Sequence, residues 1–322
     1  MQINCFQITG KPQIVPCEYG AAMEMYRLGE SNVWIDINDA SREELEQQLD
    51  ALQVNGLLRS FCLDAGDHPG FYPLNPLALV VIPVQKTVQD TNSISYLSIL
   101  LSSRFVVTIR ESSMARFRNN IAFTKSEEVL PDDTPAGLIA SLFLGLSLEC
   151  LRKTSQLADL ISGLENRLDK TPQAVKMEEI SDRRTEVMVL ESIVSGQLPI
   201  LTIVTSSDKH LKILEKSKDY LQWAKANLQG AEKKLEWLEH RIELIRSALD
   251  MHAQETMNNR LGRLTILSMI FMPITFLAGI WGMNFQYIPL LSNEYGYLVA
   301  IALMLIIAGS MYLFFRKKGW FD

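Results

Sequence analysis

The chain has 322 residues, 48% of them hydrophobic and 21% charged, and its formal net charge at pH 7 is −6. This length allows one sizeable soluble domain and an additional part. The acidic balance and the lack of a basic stripe argue against nucleic acid as a partner.

The cysteines and the N-terminal sequence point to a reducing compartment. Cys5, Cys17, Cys62 and Cys150 form no CxxC pair, which argues against a zinc knuckle and a disulfide framework. No basic head precedes an apolar core at the N-terminus, so we expect no secretory signal. The chain also lacks a nucleophile–base pair, a phosphate loop and HExxH. We therefore expect neither an enzyme nor a cofactor.

The first part of the chain predicts a cytoplasmic α/β domain over residues 1–135, an α+β fold built as an α/β/α sandwich. Four runs rich in Val and Ile predict strands at residues 32–37, 77–84, 94–101 and 104–110. Ser41 and Glu44 form a capping box that predicts the start of a helix.

Helices alone are predicted after residue 135. Cytoplasmic helices occupy residues 136–200, with one ending near Thr171 and the next running from about Val175 to a break at Pro199. A stalk helix is predicted over residues 201–263. With the span that follows, it would be on the order of 100 Å long. Such a helix needs neighbours, which suggests an oligomer.

Two C-terminal runs predict a transmembrane hairpin. Residues 264–285 and 297–315 contain no Asp, Glu, Lys, Arg or His, and each run is long enough to cross a bilayer. Arg260 and Arg263 precede the first run, and the basic tail, residues 316–322, follows the second. The positive-inside rule predicts a multi-pass protein of the inner or plasma membrane with cytoplasmic termini and an external loop at residues 286–296.

One side of the first predicted span carries small and mildly polar residues at a period of 3.5. This stripe, as we call it, contains every hydroxyl and glycine between Leu264 and Gly282. Its members are Leu261, Thr265, Ser268, Met272, Thr275, Gly279 and Gly282. The pattern alone favours helix–helix packing over a water-filled path. The other side, which we expect to face lipid, carries Ile266, Ile270, Ile274, Leu277 and Trp281.

The segment GIWGMNF, with the helix before it, resembles the signature of the CorA family of divalent-cation channels. IFMPITFLAGIWGMNF, the second span and the tail RKKGW are all similar to this family. The resemblance implies a funnel-shaped homopentamer in which the first span lines the pore and Gly282, Met283 and Asn284 form the selectivity ring. It implies a pore lined by Asn258, Leu261, Leu264, Ser268, Met272, Thr275 and Gly279.

The resemblance also implies a substrate and its chemistry. Mg²⁺ gives up its water reluctantly, so the neutral oxygens of Asn284 and Gly282 would contact the hydrated ion through its bound water. Mg²⁺ is the expected substrate, and Co²⁺, Ni²⁺ and Zn²⁺ are further candidates. Intracellular Mg²⁺ would also be a regulatory ligand that closes the pore, and Asp219 is the one regulatory metal ligand that we name.

Two observations leave alternatives open. Relatives usually carry acids just after GMNF, whereas this chain has Gln286 and Leu290 there and Glu294 later. The metal preference is therefore open, and a zinc, cobalt or nickel transporter, with or without proton coupling, is the second hypothesis. A membrane-tethered metal sensor that does not transport is the third. The turn from Asp64 to His68 has two acids and a histidine, but we interpret it as a surface turn.

Overall fold

The structure is a computed structural model that describes residues 1–9, 13–29, 31–54, 56–74, 77–86, 93–111, 134–206, 217–283 and 295–320. The chain divides into two compact units, Met1–Arg246 and Ser247–Asp322. Each unit is described by itself below.

The first unit contains a seven-stranded sheet in the order β2-β1-β3-β7-β6-β5-β4. Only the central pair, β3 and β7, is parallel, and every other neighbouring pair is antiparallel. The strands are β1 Gln2–Thr9, β2 Gln13–Cys17, β3 Asn32–Asn38, β4 Gly70–Leu74, β5 Leu77–Gln85, β6 Ile94–Leu101 and β7 Phe105–Arg110.

The four predicted strands are confirmed as β3, β5, β6 and β7, whereas β1, β2 and β4 were not predicted. β2 and β4 are the two edge strands, and each contains a proline, Pro16 and Pro73. A proline cannot donate to the hydrogen-bond ladder, and an edge strand has one side without a neighbour that needs the donor. The short length and the prolines weakened the sequence signal for these strands.

Three short helices cover one face of the sheet. They are α1 Tyr19–Leu28, α2 Arg42–Ala51 and α3 Leu57–Leu63. Alternate residues of β3, namely Val33, Ile35 and Ile37, enter the apolar core on this face. The capping box of α2 is confirmed, because Glu44 N donates to Ser41 Oγ at 3.2 Å and Ser41 N donates to Glu44 Oε2 at 2.8 Å.

Two long helices, α4 Pro135–Lys170 and α5 Met177–Ser206, contact sheet strands and complete the predicted α/β/α sandwich. At residue 196 of α5 only glycine fits, because an added Cβ would lie 2.5 Å from the ring of Pro83 on β5. The next residue, Gln197, donates from Nε2 to the Pro83 carbonyl oxygen at 2.7 Å. These contacts hold α5 against β5.

The predicted helix break at Pro199 is wrong, because Pro199 lies inside α5. Ile200, Leu201 and Val204, which follow the proline, are all buried. Their burial compensates for the lost backbone hydrogen bond, since each buried aliphatic side chain contributes about 1.5–3 kcal/mol. Residues 201–206 thus complete α5, although they were predicted to begin the stalk.

The longest helix, α6 Lys218–Trp281, has 64 residues and continues from the first unit into the second. Its first part lies parallel to α4, because three polar pairs keep a sequence separation of 79 or 80 residues. The pairs are Asn227 Nδ2 to Ser147 Oγ at 3.2 Å, Lys234 Nζ to Ser155 Oγ at 3.1 Å and Arg241 Nη2 to Ser162 Oγ at 3.0 Å.

Buried residues of α6 in the first unit repeat at intervals of three and four, the spacing of a coiled-coil seam. They are Leu221, Ala224, Leu228, Ala231, Leu235, Leu238, Ile242 and Ile245. The second unit contains the rest of α6 and α7 Gly296–Lys317. The described structure thus matches the predicted fold class: an α/β domain, and a long helix whose C-terminal part forms, with α7, the two C-terminal helices.

Candidate functional site

Four of the described helices are long and apolar enough to cross a membrane, but only two keep their apolar surface exposed. In the most apolar windows of α4 and α5, 67% and 44% of the residues are buried inside the chain, whereas the figure is 6% in both α6 and α7. The apolar residues of α4 are used in the core of the first unit. The apolar segments of α6 and α7 therefore remain as the candidate membrane spans.

The stripe on α6 is exposed along its whole length in the single chain. Its members Leu261 and Met272 are 54% and 73% exposed, and Leu264 beside the stripe is 61% exposed. The hydroxyls are held close to the helix, because Ser268 Oγ donates to Leu264 O at 3.0 Å and Thr275 Oγ1 donates to Phe271 O at 2.9 Å. Each hydroxyl oxygen keeps its acceptor lone pairs, so this side offers uncharged acceptors between apolar side chains.

The opposite side of α6 packs within the chain, so the prediction that this side faces lipid is wrong. Ile266 is only 2% exposed, and Ile270, Ile274, Leu277 and Trp281 are partly buried. On α7, covered residues recur at a similar spacing, among them Gly296, Ala300, Met304, Met311 and Phe315. We infer that these two faces pack together in the hairpin. Composition could not reveal this, because an isoleucine suits a neighbouring helix as well as lipid.

The helix α6 ends at Trp281, directly before the predicted selectivity ring. Gly282 N still donates to Ala278 O at 2.9 Å, and Met283 N donates to Ile280 O at 3.2 Å, which tightens the last turn. A Cβ on Gly282 would lie 3.3 Å from the Ala278 carbonyl oxygen. Asn284 and residues 286–294 of the predicted external loop lie outside the described residues.

Basic residues precede the apolar segment of α6 and end α7. Arg260 and Arg263 on α6 are exposed, as are Arg316 and Lys317 at the end of α7. After α7 the chain turns back, with Trp320 N donating to Phe315 O at 3.2 Å and the two rings 5.4 Å apart. These exposed charges flank the two apolar segments in the sequence.

The predicted regulatory residue, Asp219, belongs to no group of three metal-binding side chains among the described residues. Asp219 is exposed in the first turn of α6, a turn before the exposed Trp223. Within the described ranges, no three side chains of His, Cys, Asp or Glu come close enough together to hold a metal ion. The turn at residues 64–68 is a surface turn as predicted, because Asp64 accepts from Arg42 at 2.9 Å and His68 packs on Phe61.

One acidic contact was missed at the sequence level because it joins two helices. Burial raises the pKa of Glu191 on α5, and the charges of Glu239, Glu236 and Glu232 on α6 raise it further. The sequence around each acid predicts an ordinary solvated helix residue. Only the packing of α5 beside α6 brings the four carboxylates close enough for their charges to interact.

A second exposed set continues the stripe backwards along α6. Positions seven apart are exposed and uncharged, although the buried seam lies on another side of the same helix. In the first unit the large members of this set are Trp223, Trp237 and Leu244, and Met251 follows in the second. This seven-residue repeat could have been found from the sequence by extending the stripe towards the N-terminus.

These features define a helical membrane protein with a large N-terminal α/β domain. Residues 29–317 match the protein family described as CorA-like Mg2+ transporter protein. The chain belongs to this family, as the resemblance predicts.

Relatives are similar in sequence, and a solved structure shares the fold. The cobalt/magnesium transport protein CorA of Methanocaldococcus jannaschii is 22% identical over 311 residues, 93% of either chain. YfjQ of Bacillus subtilis is 29% identical over 170 residues, so the match spans about half of each chain, 51% of this one and 53% of the relative. The solved structure of the Methanocaldococcus jannaschii CorA magnesium transporter has a TM-score of 0.78 at 17% identity and covers 99% of both chains.

Proposed function

We propose that this chain carries divalent cations, with Mg²⁺ as the main substrate, through a pentameric pore lined by α6. The observation that carries the proposal is the exposure of the stripe. Its hydroxyls and glycines lie on the side of α6 that the chain leaves open, opposite to the side that packs internally. An oligomer that turns this side inwards would line a path with neutral oxygens.

The membrane arrangement follows from the charges. Residues 264–285 and 297–315 would span the inner or plasma membrane, and residues 286–296 would form the external loop. The basic ends, with Arg260, Arg263 and the tail after α7, would stay in the cytoplasm together with the N-terminal domain. The proposed pore therefore opens outwards at Gly282 and inwards near Asn258.

At the outer mouth, the proposed selectivity ring consists of Gly282, Met283 and Asn284. The C-terminal end of a helix carries a partial negative charge, so five α6 ends around one axis would attract a cation without any carboxylate. Asn284 would add an amide oxygen to each subunit's contribution. Neutral acceptors can hydrogen-bond the water shell of Mg²⁺, which is bound firmly enough to enter and weakly enough to leave.

Further inwards, apolar side chains would form the narrow part of the path. Leu261, Leu264 and Met272 are more than half exposed in the single chain, and the hydroxyls of Ser268 and Thr275 lie between and beyond them. Rings of five such side chains exclude water when they close, and this prevents passage of a hydrated ion. We propose this constriction as the gate.

The exposed positions along α6 support assembly by this helix. Trp223, Trp237, Leu244 and Met251 continue the stripe at spacings of seven or fourteen residues, the heptad repeat that keeps one side of neighbouring helices in contact. Large exposed apolar side chains in a row mark an interaction surface. We propose that five copies of the chain meet along this side.

Intracellular divalent metal is the proposed regulator. A ligand that binds only the closed arrangement shifts the equilibrium towards closure. Because the described part of one chain brings no three metal-binding side chains together, the ligands would come from neighbouring subunits. Asp219 is the residue that we propose for this role.

The test is metal uptake by the purified chain in proteoliposomes. Wild type, Asn284→Ala and the control Asn259→Ala are reconstituted separately. Mg²⁺ or Zn²⁺ is then added outside the vesicles, with and without a pH gradient. We expect Mg²⁺ uptake that does not depend on the gradient, a loss of selectivity or flux in Asn284→Ala, and normal uptake in Asn259→Ala. The control residue follows Asn258 but lies seven residues before Ile266, on the side of α6 that carries the isoleucines rather than the stripe.

Two results would overturn the proposal in different ways. Gradient-driven Zn²⁺ uptake without Mg²⁺ uptake would identify a proton-coupled zinc transporter. The solved cytoplasmic domain of ZntB from Vibrio parahaemolyticus has a related fold, with a TM-score of 0.56 at 11% identity. The absence of uptake of either ion, with the chain correctly inserted, would identify a membrane-tethered sensor.

A further inference from the structure

Two cysteines on neighbouring strands lie directly opposite each other in the sheet. Cys5 on β1 and Cys17 on the edge strand β2 are partners in the antiparallel register. Opposed residues of antiparallel strands have Cα atoms about 4.5 or 5.5 Å apart, and their side chains point to the same face. A disulfide spans Cα separations of about 4.4–6.8 Å, so either spacing allows the bond.

The surroundings of the two thiols are unequal. Cys5 is 5% exposed and belongs to the core under α1–α3, whereas Cys17 is partly exposed and packs against the same core. Burial raises the pKa of Cys5 to about 11, and the proximity of Cys17 contributes to this rise. Burial alone raises the pKa of Cys62 to about 12.

We propose that Cys5 and Cys17 are a reversible modification site, which a low-molecular-weight disulfide converts to an intrachain disulfide. The thiolate of Cys17, the more exposed residue, attacks one sulfur of the oxidant, forming a mixed disulfide and releasing one thiolate. The thiolate of Cys5 then attacks the Cys17 sulfur, closing the Cys5–Cys17 bond and releasing the second thiolate. The cysteine pair loses two electrons, the oxidant becomes two thiols, and these take up the two cysteine protons.

The bond would act on the edge of the sheet. Cys17 is the last residue of β2, and α1 begins two residues later at Tyr19. A covalent link to β1 at this point prevents β2 from leaving the sheet and anchors the start of α1. In a reducing compartment both thiols stay free, and a shift to oxidising conditions closes the link.

The experiment counts thiols in the full-length chain, purified in detergent. The folded protein is treated with oxidised glutathione at mildly alkaline pH, quenched in acid, unfolded and labelled with a maleimide for mass spectrometry. We expect the free thiols to fall from four to two, with peptide mapping locating the bond between Cys5 and Cys17. A reductant should restore all four.

Two variants serve as controls. Cys62→Ser should fall from three thiols to one, because its reactive pair is intact, whereas Cys17→Ser should keep all three. Cys17→Ala replaces Cys17→Ser if the serine variant does not fold. The proposal is overturned if the folded wild type keeps four thiols while the unfolded chain loses them. A bond between a different pair of cysteines, or between two chains, overturns it equally.

Discussion

Replacing Gly196 with alanine would test how closely α5 approaches the sheet. An added Cβ would lie 2.5 Å from Cγ and 3.2 Å from Cδ of Pro83. The proline ring cannot rotate away, because it is fixed to the backbone of β5, a strand paired on both sides. The helix and the strand would therefore have to separate by several tenths of an ångström.

Two opposing effects set the magnitude. Removing a glycine from a helix interior stabilises a protein by about 0.5–1 kcal/mol, because the unfolded chain has less freedom to lose. Overpacking a close contact costs about 1–3 kcal/mol. The contact here is far below any ordinary carbon–carbon separation, so we expect the cost to be near the upper end. The net change for Gly196→Ala is then a destabilisation of about 1–2 kcal/mol.

The measurement is the unfolding midpoint of the detergent-solubilised protein, followed by tryptophan fluorescence. Gly163→Ala on α4 is the matched control, because no atom lies within 4 Å of its added Cβ. We expect the control to be more stable than wild type and Gly196→Ala to be less stable. Equal stability of the two variants would show that α5 does not pack on Pro83 as described.

Three further predictions concern charge and assembly. Arg110→Met leaves Asp36 buried without the guanidinium that donates to it at 2.9 Å. The free energy of unfolding, measured by chemical denaturation, should fall by about 3–5 kcal/mol, and adding Asp36→Leu should recover much of this loss. Glu191→Gln should raise the unfolding midpoint slightly at pH 7, because the raised pKa of Glu191 shows that the fold disfavours the ionised acid. The gain should vanish in the same assay below pH 4.5, where Glu191 becomes protonated in folded and unfolded chains alike. Trp237→Ala should weaken the oligomer in light scattering and leave the fold intact, whereas Leu238→Ala, which empties a fully buried position, should destabilise the fold by about 2–5 kcal/mol. A Trp237→Ala protein with unchanged assembly would argue against the proposed contact between subunits along the exposed side of α6.

Local signals in the sequence were sufficient for the main elements. The β-branched runs of β3, β5, β6 and β7, the capping box at Ser41 and the two uncharged runs each depend on neighbouring residues only. The stripe on α6 is equally local, because a period of 3.5 needs no knowledge of what the helix touches. The family resemblance then supplied the expected role of GMN, which neither composition nor periodicity contains.

The amino-acid sequence by itself thus determined the elements, the two apolar helices and the side of α6 that carries the hydroxyls. Only the tertiary structure decided that the isoleucine side of α6 packs within the chain, that α5 continues through Pro199, and that Cys5 and Cys17 lie opposite each other. The physical reason is that burial and strand register depend on residues distant in sequence. An apolar side chain, a proline or a thiol carries no local mark of the neighbour that it will meet.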